Sequence, residues 1–246
     1  MFSFFSKKKF LVDYLGNFVD IHNHILPGID DGAKTVTDSV QLIKEFSNLG
    51  INKFVATPHI MHNYYPNDKD SIQAAHTKVL DSLLKEKMKN ISLDVAAEHM
   101  IDANFDIILD KKEVMPLRNR YLLIEMSYLQ PSINFDEAIQ NIAFHRYFPI
   151  LAHPERYAFL HLNSSKFMKY KQSGILLQMN LLSLGQYYGK DVQKKAYKLL
   201  QNGLIDYVAS DVHNLNQLHS LKELEIKSSH IKLLLPVIER TINDFY

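Results

Sequence analysis

Seven short apolar or β-branched runs alternate with stretches of helical periodicity along this chain, and no other feature constrains the fold as strongly. The runs are 18–22, 53–57, 92–97, 121–125, 149–153, 175–180 and 207–210. Thr35 and Asp38 resemble a capping box, and Val36, Val40, Ile43, Phe46 and Leu49 keep helical spacing up to Gly50. A long polar-apolar helix is expected over about 70–89, and shorter ones over roughly 102–110, 135–147, 163–173 and 190–202, with Gly174 and Gly203 where helices stop before strands. Strands and helices in regular alternation imply a parallel sheet, either open and doubly wound or closed into a barrel.

Residues able to bind metal decide between the two. His22, His59, Glu98, Glu125, His153 and Asp211 stand at or just after the C-terminal ends of six different runs. An open sheet would spread six strand ends over roughly 25 Å at ~4.8 Å per strand, whereas a barrel gathers them in one cup, on the face that carries active sites. The expectation is therefore an α/β barrel of about seven strands. With 246 residues and 46% hydrophobic content, one domain spanning 1–246 is expected. Residues 1–17 would precede the barrel, and 218–246 would form a helical segment across its exterior or one end.

Composition removes several classes of function. Lysine and arginine total 28 against 27 acids, which leaves no basic surplus to bind nucleic acid. The absence of cysteine excludes a disulfide framework and every mechanism with a thiolate nucleophile. Residues 1–10 place apolar side chains before lysines and lack the apolar run of a signal peptide, and no stretch approaches the ~18 apolar residues of a membrane span. A cytoplasmic protein without membrane insertion is expected, its terminus docked on the barrel rather than on an anionic membrane surface.

Each candidate ligand has a plain alternative. His22-Asn23-His24 ends the first run, and period-two alternation puts both imidazoles on one face, able to grip one ion; alone, such a pair is equally at home as structure. Asp30 and Asp31 follow Pro27-Gly28 and either could be a simple turn aspartate. Thr57-Pro58-His59 sets a histidine past a strand that proline ends. Glu98 and Glu125 close apolar runs, where a cation is the natural counterpart and a barrel-crossing salt bridge the alternative. His99 should point away from its neighbour Glu98 and serve the core or surface, and His62, His76, His145, His161, His219 and His230 take the same reading. His153-Pro154-Glu155-Arg156 and Asp211-Val212-His213 are stronger: Asp-x-His presents two ligands on one face, and Arg156 could hold an anion over the site with a bidentate fork, or else pair with Glu155 or Glu137. A set of imidazoles and carboxylates without sulfur suits Mn, Fe or Zn in hydrolytic chemistry.

These motifs, from Asp20-Ile21-His22-Asn23-His24 through Pro27-Gly28-Ile29-Asp30-Asp31-Gly32 to Ser210-Asp211-Val212-His213-Asn214, resemble the polymerase and histidinol phosphatase superfamily, and within it the capsule-type, CpsB/YwqE-like tyrosine phosphatases of bacteria. The resemblance runs from about Phe18 to Asn214 and implies a distorted TIM-like (β/α)7 barrel with three divalent ions, Mn foremost and Fe or Zn as alternatives. It implies that His22, His24, Glu98 and Asp211 hold one ion, that Glu98 bridges to a second held by Glu125 and His153, and that Asp31, His59 and His213 hold the third. Arg156 matches a phosphate-binding arginine. Leu215, Asn216, Gln217 and Leu218 occupy the region where several relatives carry a second one, with His219 or Lys222 as replacements. The implied activity is hydrolysis of phosphotyrosine by an ion-bridging water, on a bacterial tyrosine autokinase of capsule or exopolysaccharide export. Paired ions screen phosphoryl charge and activate water, and a phenolate of pKa about 10 leaves with little help. The alternatives are a small-molecule phosphatase acting on histidinol phosphate and a non-catalytic, metal-stabilised binding module.

Overall fold

The structure, a computed structural model, describes residues 9–161 and 165–246. The terminal residues 1–8 and the start of the helix expected over 163–173 lie outside the described residues. In chain order the first half contains β1 (Val19–Asp20), α1 (Val36–Asn48), β2 (Lys53–Ala56), β3 (His59–Ile60), α2 (Lys69–Lys85), β4 (Ser92–Val95), β5 (Glu98–Met100) and α3 (Phe105–Asp110). The second half contains β6 (Tyr121–Glu125), α4 (Phe135–Phe144), β7 (Phe148–Ala152), α5 (Ser165–Gln172), β8 (Leu176–Asn180), α6 (Lys190–Gln201), β9 (Tyr207–Ala209), α7 (Leu215–Lys222) and α8 (Ser228–Phe245).

All strand pairs are parallel and fall into two ladders, β1-β2-β4 and β3-β5-β6-β7-β8-β9. The break between them is local. Pro58 has no N–H to give, so the run from β2 to β3 loses its ladder there. Hydrogen bonds continue across it, from Ala96 N to Ala56 O at 2.9 Å and from Glu98 N to Pro58 O at 3.1 Å. Joined in this way, β2 with β3 and β4 with β5 restore the seven runs read from the sequence.

The barrel closes where the first and last strands meet. Asn23 bridges Val212 in parallel, Asp211 N donates to His22 O at 2.8 Å, and His24 N donates to Val212 O at 3.0 Å. Below this seam the fully buried Asp20 accepts from Ser210 N at 2.9 Å and from Ser210 Oγ at 2.6 Å. Burial outweighs these hydrogen bonds and pushes the Asp20 carboxyl up to about 6.

Alternation along the strands sorts side chains into two cores. On β6, Leu122 and Ile124 join the large cluster between strands and helices, while Tyr121 and Leu123 join a smaller one with Ile150, Ala152 and Ala209 inside the barrel. Phe245 of α8 packs into that interior, its ring centroid 5.4 Å from Tyr121 and 5.0 Å from Tyr207. Glu125 continues the inner row of β6 at the opposite end, where the apolar filling stops. Helix starts follow the sequence signals: Asp38 N donates to Thr35 Oγ1 while the Asp38 carboxylate accepts from Thr35 N, and Asn214 accepts from Gln217 N to cap α7. The chain from Lys9 docks on the turn between α7 and α8, with Leu11 N donating to Leu224 O and Ile226 N to Lys9 O.

Candidate metal centre

The seam and the C-terminal strand ends deliver all nine predicted ligands to one place. Four overlapping groups have ligand atoms within 4.8 Å of one another: His24, Asp31, His59 and His213; His22, His24 and Asp211; His22, Glu98 and His153; His59, Glu98 and Glu125. Among the described residues no others join them. Glu98 occurs in two groups, the third and fourth of these. Several placements differ from the implied sets: His24 also reaches the implied third set, His22 joins Glu98 and His153, and Glu125 groups with His59, whose Nδ1 lies 3.1 Å from Glu98 and 2.8 Å from Glu125.

Local backbone explains the convergence. The turn after His24 folds tightly back: Ala33 N donates to His24 O at 3.0 Å, and a Cβ on Gly32 would fall 2.0 Å from that same oxygen, so no side chain fits there. This turn also separates the two aspartates that the sequence left open. Asp31 is half-exposed and faces His59 Nε2 at 3.4 Å and His213 Nε2 at 3.5 Å, whereas Asp30 is buried and accepts from His24 Nδ1 at 2.8 Å. His153 and Asp211, at the ends of β7 and β9, adopt the left-handed backbone with φ of 34° and 51°.

Three imidazoles are aimed by partners that only accept. His22 Nδ1 donates to Gln178 Oε1 at 2.8 Å, His24 Nδ1 to Asp30 Oδ2 at 2.8 Å, and His213 Nδ1 to Asp211 O at 3.0 Å. Each Nε2 then presents a lone pair to the site, and those of His22 and His24 stand 3.3 Å apart. Two lone pairs at that distance repel, and a shared proton or a metal ion relieves the repulsion. Glu98 Oε2 and Glu125 Oε1 are buried with no hydrogen bond, although an unpaired buried carboxylate oxygen is costly. Among the described residues the ion-pair partners of both glutamates are imidazoles, which sets aside the salt bridge to lysine or arginine. The donor set fits divalent metal.

The site's electrostatics favour positive charge. Burial pulls His22, His24 and His59 down, yet the neighbouring carboxylates more than offset it and hold all three above the ordinary histidine value. Burial would raise Glu98 and Asp211, but the imidazoles around them keep both well below the usual carboxylate range. His213 goes the other way, lowered to about 4 by burial and by His24.

A cavity of about 570 Å³ opens over the cluster, lined on the protein side by Met61, Tyr65, Met100, Met126, Tyr128 and Arg156. Tyr65 stacks on His59 with centroids 5.4 Å apart. Arg156, in the turn Pro154–Arg156, does not pair with Glu155 or Glu137. Its Nη1 donates to Asp211 Oδ2 at 2.7 Å, and its guanidinium lies 4.5 Å from the Tyr128 ring centroid and 4.2 Å from that of Tyr188. Glu155 instead turns inward, fully buried, and accepts from Asn180 N. His219 and Lys222 do not line the cavity.

His99 sits in the core as expected, donating from Nδ1 to Leu123 O and accepting at Nε2 from Met115 N; burial lowers it to about 4, so it stays neutral. Asp30, Gln178, Asn180, Tyr128 and Tyr188 were not anticipated. Gln178 and Asn180 carried a signal, two amides in an otherwise apolar run, and Asp30 had its place beside Asp31. The tyrosines had none.

The family profile described as "Capsular polysaccharide synthesis, CpsB/CapC" matches residues 18–223. The tyrosine-protein phosphatase YwqE of Bacillus subtilis is 31% identical over 199 residues, covering 80% of this chain and 77% of its own. The tyrosine-protein phosphatase CpsB of Streptococcus pneumoniae is 29% identical over 204 residues, covering 80% and 84%. A crystal structure from work on these two proteins, described there as unique metal-dependent tyrosine phosphatases, superposes with a TM-score of 0.77 at 27% identity over 93% of this chain and 95% of that one. An amidohydrolase from Mycoplasma synoviae shares the fold alone, with a TM-score of 0.52 at 14% identity over 95% and 88%. From its barrel, its histidine and carboxylate cluster and a match spanning nearly all of both, this chain belongs to the CpsB/CapC family of capsular polysaccharide synthesis.

Proposed function

We propose that this chain is a metal-dependent protein-tyrosine phosphatase that hydrolyses phosphotyrosine with water as nucleophile. The observation that carries the reading is the convergence of the His22 and His24 Nε2 atoms at 3.3 Å beside a buried Glu98 oxygen without a hydrogen bond, a donor set that suits a divalent cation. His22, His24, Glu98 and Asp211 would hold one divalent ion, Glu98, Glu125 and His153 a second, and Asp31, His59 and His213 a third, with Mn foremost and Fe or Zn as alternatives. Such ions supply a Lewis acid for the phosphoryl oxygens and an activated water.

The chain's own residues do the rest. Gln178, Asp30 and the Asp211 carbonyl fix the tautomers that leave each Nε2 open. Arg156, sandwiched between two tyrosine rings, has its plane preset and offers N–H groups to a phosphoryl oxygen with little entropy left to lose. Asp211 neutralises it until an anion arrives. The apolar lining from Met61, Met100 and Met126 suits an aryl ring. With no cysteine in the chain, no thiolate phosphoenzyme forms. The physiological substrate in this reading is the phosphorylated tyrosine segment of a bacterial tyrosine autokinase controlling capsule or exopolysaccharide export. Turnover of a phosphotyrosine peptide against histidinol phosphate by the Mn-loaded chain tests it. The peptide should have the higher kcat/KM by at least tenfold; preference for histidinol phosphate would refute the proposal.

A further inference from the structure

The segment between β6 and α4 presents two large apolar side chains to solvent, Leu129 at 90% and Ile133 at 102% relative exposure. They are not on a loose loop. Met126 N donates to Tyr157 Oη at 3.0 Å, Ser132 Oγ to Ile101 O at 2.7 Å, and Asn134 Nδ2 to Asp106 Oδ2 at 3.3 Å, so the segment is tied at its start and again over its last three residues. Exposed apolar residues on a tied segment mark a contact surface. Next to the metal-centre cavity, a second cavity of about 520 Å³ lies under this segment; the two share Met100, Asp102 and Ser127 as a common wall, and Leu129 lines the first while Ile133 lines the second.

Resting on the phosphatase reading, we propose that this second cavity is a subsite for the substrate chain, receiving an apolar residue that flanks the phosphotyrosine. An extended chain advances ~3.3 Å per residue, so a side chain within about three positions of the phosphotyrosine reaches across the shared wall. The chemistry selects an apolar flank. Asp102 is the one charged residue lining the second cavity, and its carboxylate oxygens already accept from His62 N at 2.9 Å and Asn104 N at 2.8 Å. No cation lining it invites an acidic flank, and covering Leu129 and Ile133 is favourable against an apolar side chain, whereas a polar one would lose its own water in return.

The test compares three probes on the metal-loaded full chain: 4-nitrophenyl phosphate, a phosphotyrosine peptide with leucine flanks, and the same peptide with serine flanks. Wild type should prefer the leucine peptide by about tenfold in kcat/KM, carried mainly by KM. Ile133→Ser, which touches only the second cavity, should erase most of that preference while 4-nitrophenyl phosphate turnover stays within twofold. Binding of the leucine peptide carrying a non-hydrolysable phosphonate, measured by calorimetry, should weaken by the same factor. Equal turnover of both peptides by wild type overturns the subsite whatever the variants do. Equal losses on all three probes mark the segment as structural and overturn it too, as does a wild-type dimer that the variant converts to monomer, since a second copy would then occupy the face. Failure of wild type on every probe strikes the phosphatase reading itself and takes the subsite with it.

Discussion

Replacing Asp30 by asparagine changes one oxygen for an NH2 group and keeps the shape, yet it should weaken metal binding by about 10- to 100-fold. The Asp30 carboxylate accepts three hydrogen bonds: Oδ1 from Gly32 N at 2.8 Å, and Oδ2 from His24 Nδ1 at 2.8 Å and His59 N at 3.3 Å. An amide cannot serve both sides. With its oxygen toward Gly32, its NH2 meets His24 Nδ1 and forces the proton onto Nε2, which removes the lone pair from the site. With its oxygen toward His24, its NH2 opposes the Gly32 N–H in a buried turn whose closure already allows no Cβ. Either way one charge-assisted bond is lost, and the affinity change corresponds to about 1.4–2.7 kcal/mol. Competition against a fluorescent chelator measures the affinity, and elemental analysis after desalting measures the stoichiometry. Wild-type affinity in Asp30→Asn would show that the His24 tautomer is set elsewhere and that the account of how the lone pairs are aimed is wrong.

Other outcomes follow from the same geometry. Chelation should abolish phosphatase activity and Mn should restore it, while thiol-alkylating reagents have no effect; full turnover after verified metal removal would sink the mechanism. Glu98→Ala should lose metal, whereas His99→Ala should keep its metal content but unfold more easily by about 1–3 kcal/mol, because Met115 N and Leu123 O are left without partners; comparable metal loss in both would mean that His99 belongs to the site. Arg156→Lys should be nearly as harmful as Arg156→Ala, about ten- to a hundredfold in kcat/KM with metal retained, since an ammonium cannot lie flat between Tyr128 and Tyr188. Metal affinity should rise with pH above the ordinary histidine range, with proton release, because the imidazoles of raised proton affinity, His22, His24 and His59, must deprotonate to bind an ion; calorimetry in buffers of different ionisation enthalpy would detect its absence.

Much of this was legible before the fold was seen, for a physical reason. A ligand at the end of an apolar strand is an anomaly of burial, and burial anomalies are visible in one dimension: Glu125 after Tyr121-Leu122-Leu123-Ile124, or His153 after Ile150-Leu151-Ala152. The seven strands were legible in the same way, because parallel strands covered by helices are continuous apolar runs. What supports the ligands was not. Gln178 lies 156 residues from His22, and Tyr128 and Tyr188 meet at Arg156 from two different loops, so no local spacing joins them. The choice of Asp211 rather than Glu155 as the partner of Arg156 depends on Glu155 being drawn inward by the Asn180 N–H of β8, a contact between the turn after β7 and the end of the next strand.

The left-handed backbone at His153 and Asp211 carries an evolutionary consequence. Such a conformation costs a side-chain-bearing residue of order 1–3 kcal/mol, and glycine adopts it with little penalty. Selection for thermal robustness alone would therefore push these two positions toward glycine, and each such step would delete an imidazole or a carboxylate from the cluster. Heat-tolerant clones recovered without an activity screen should accumulate losses at 153 and 211, and the chain's native sequence marks where selection for chemistry has held against selection for stability.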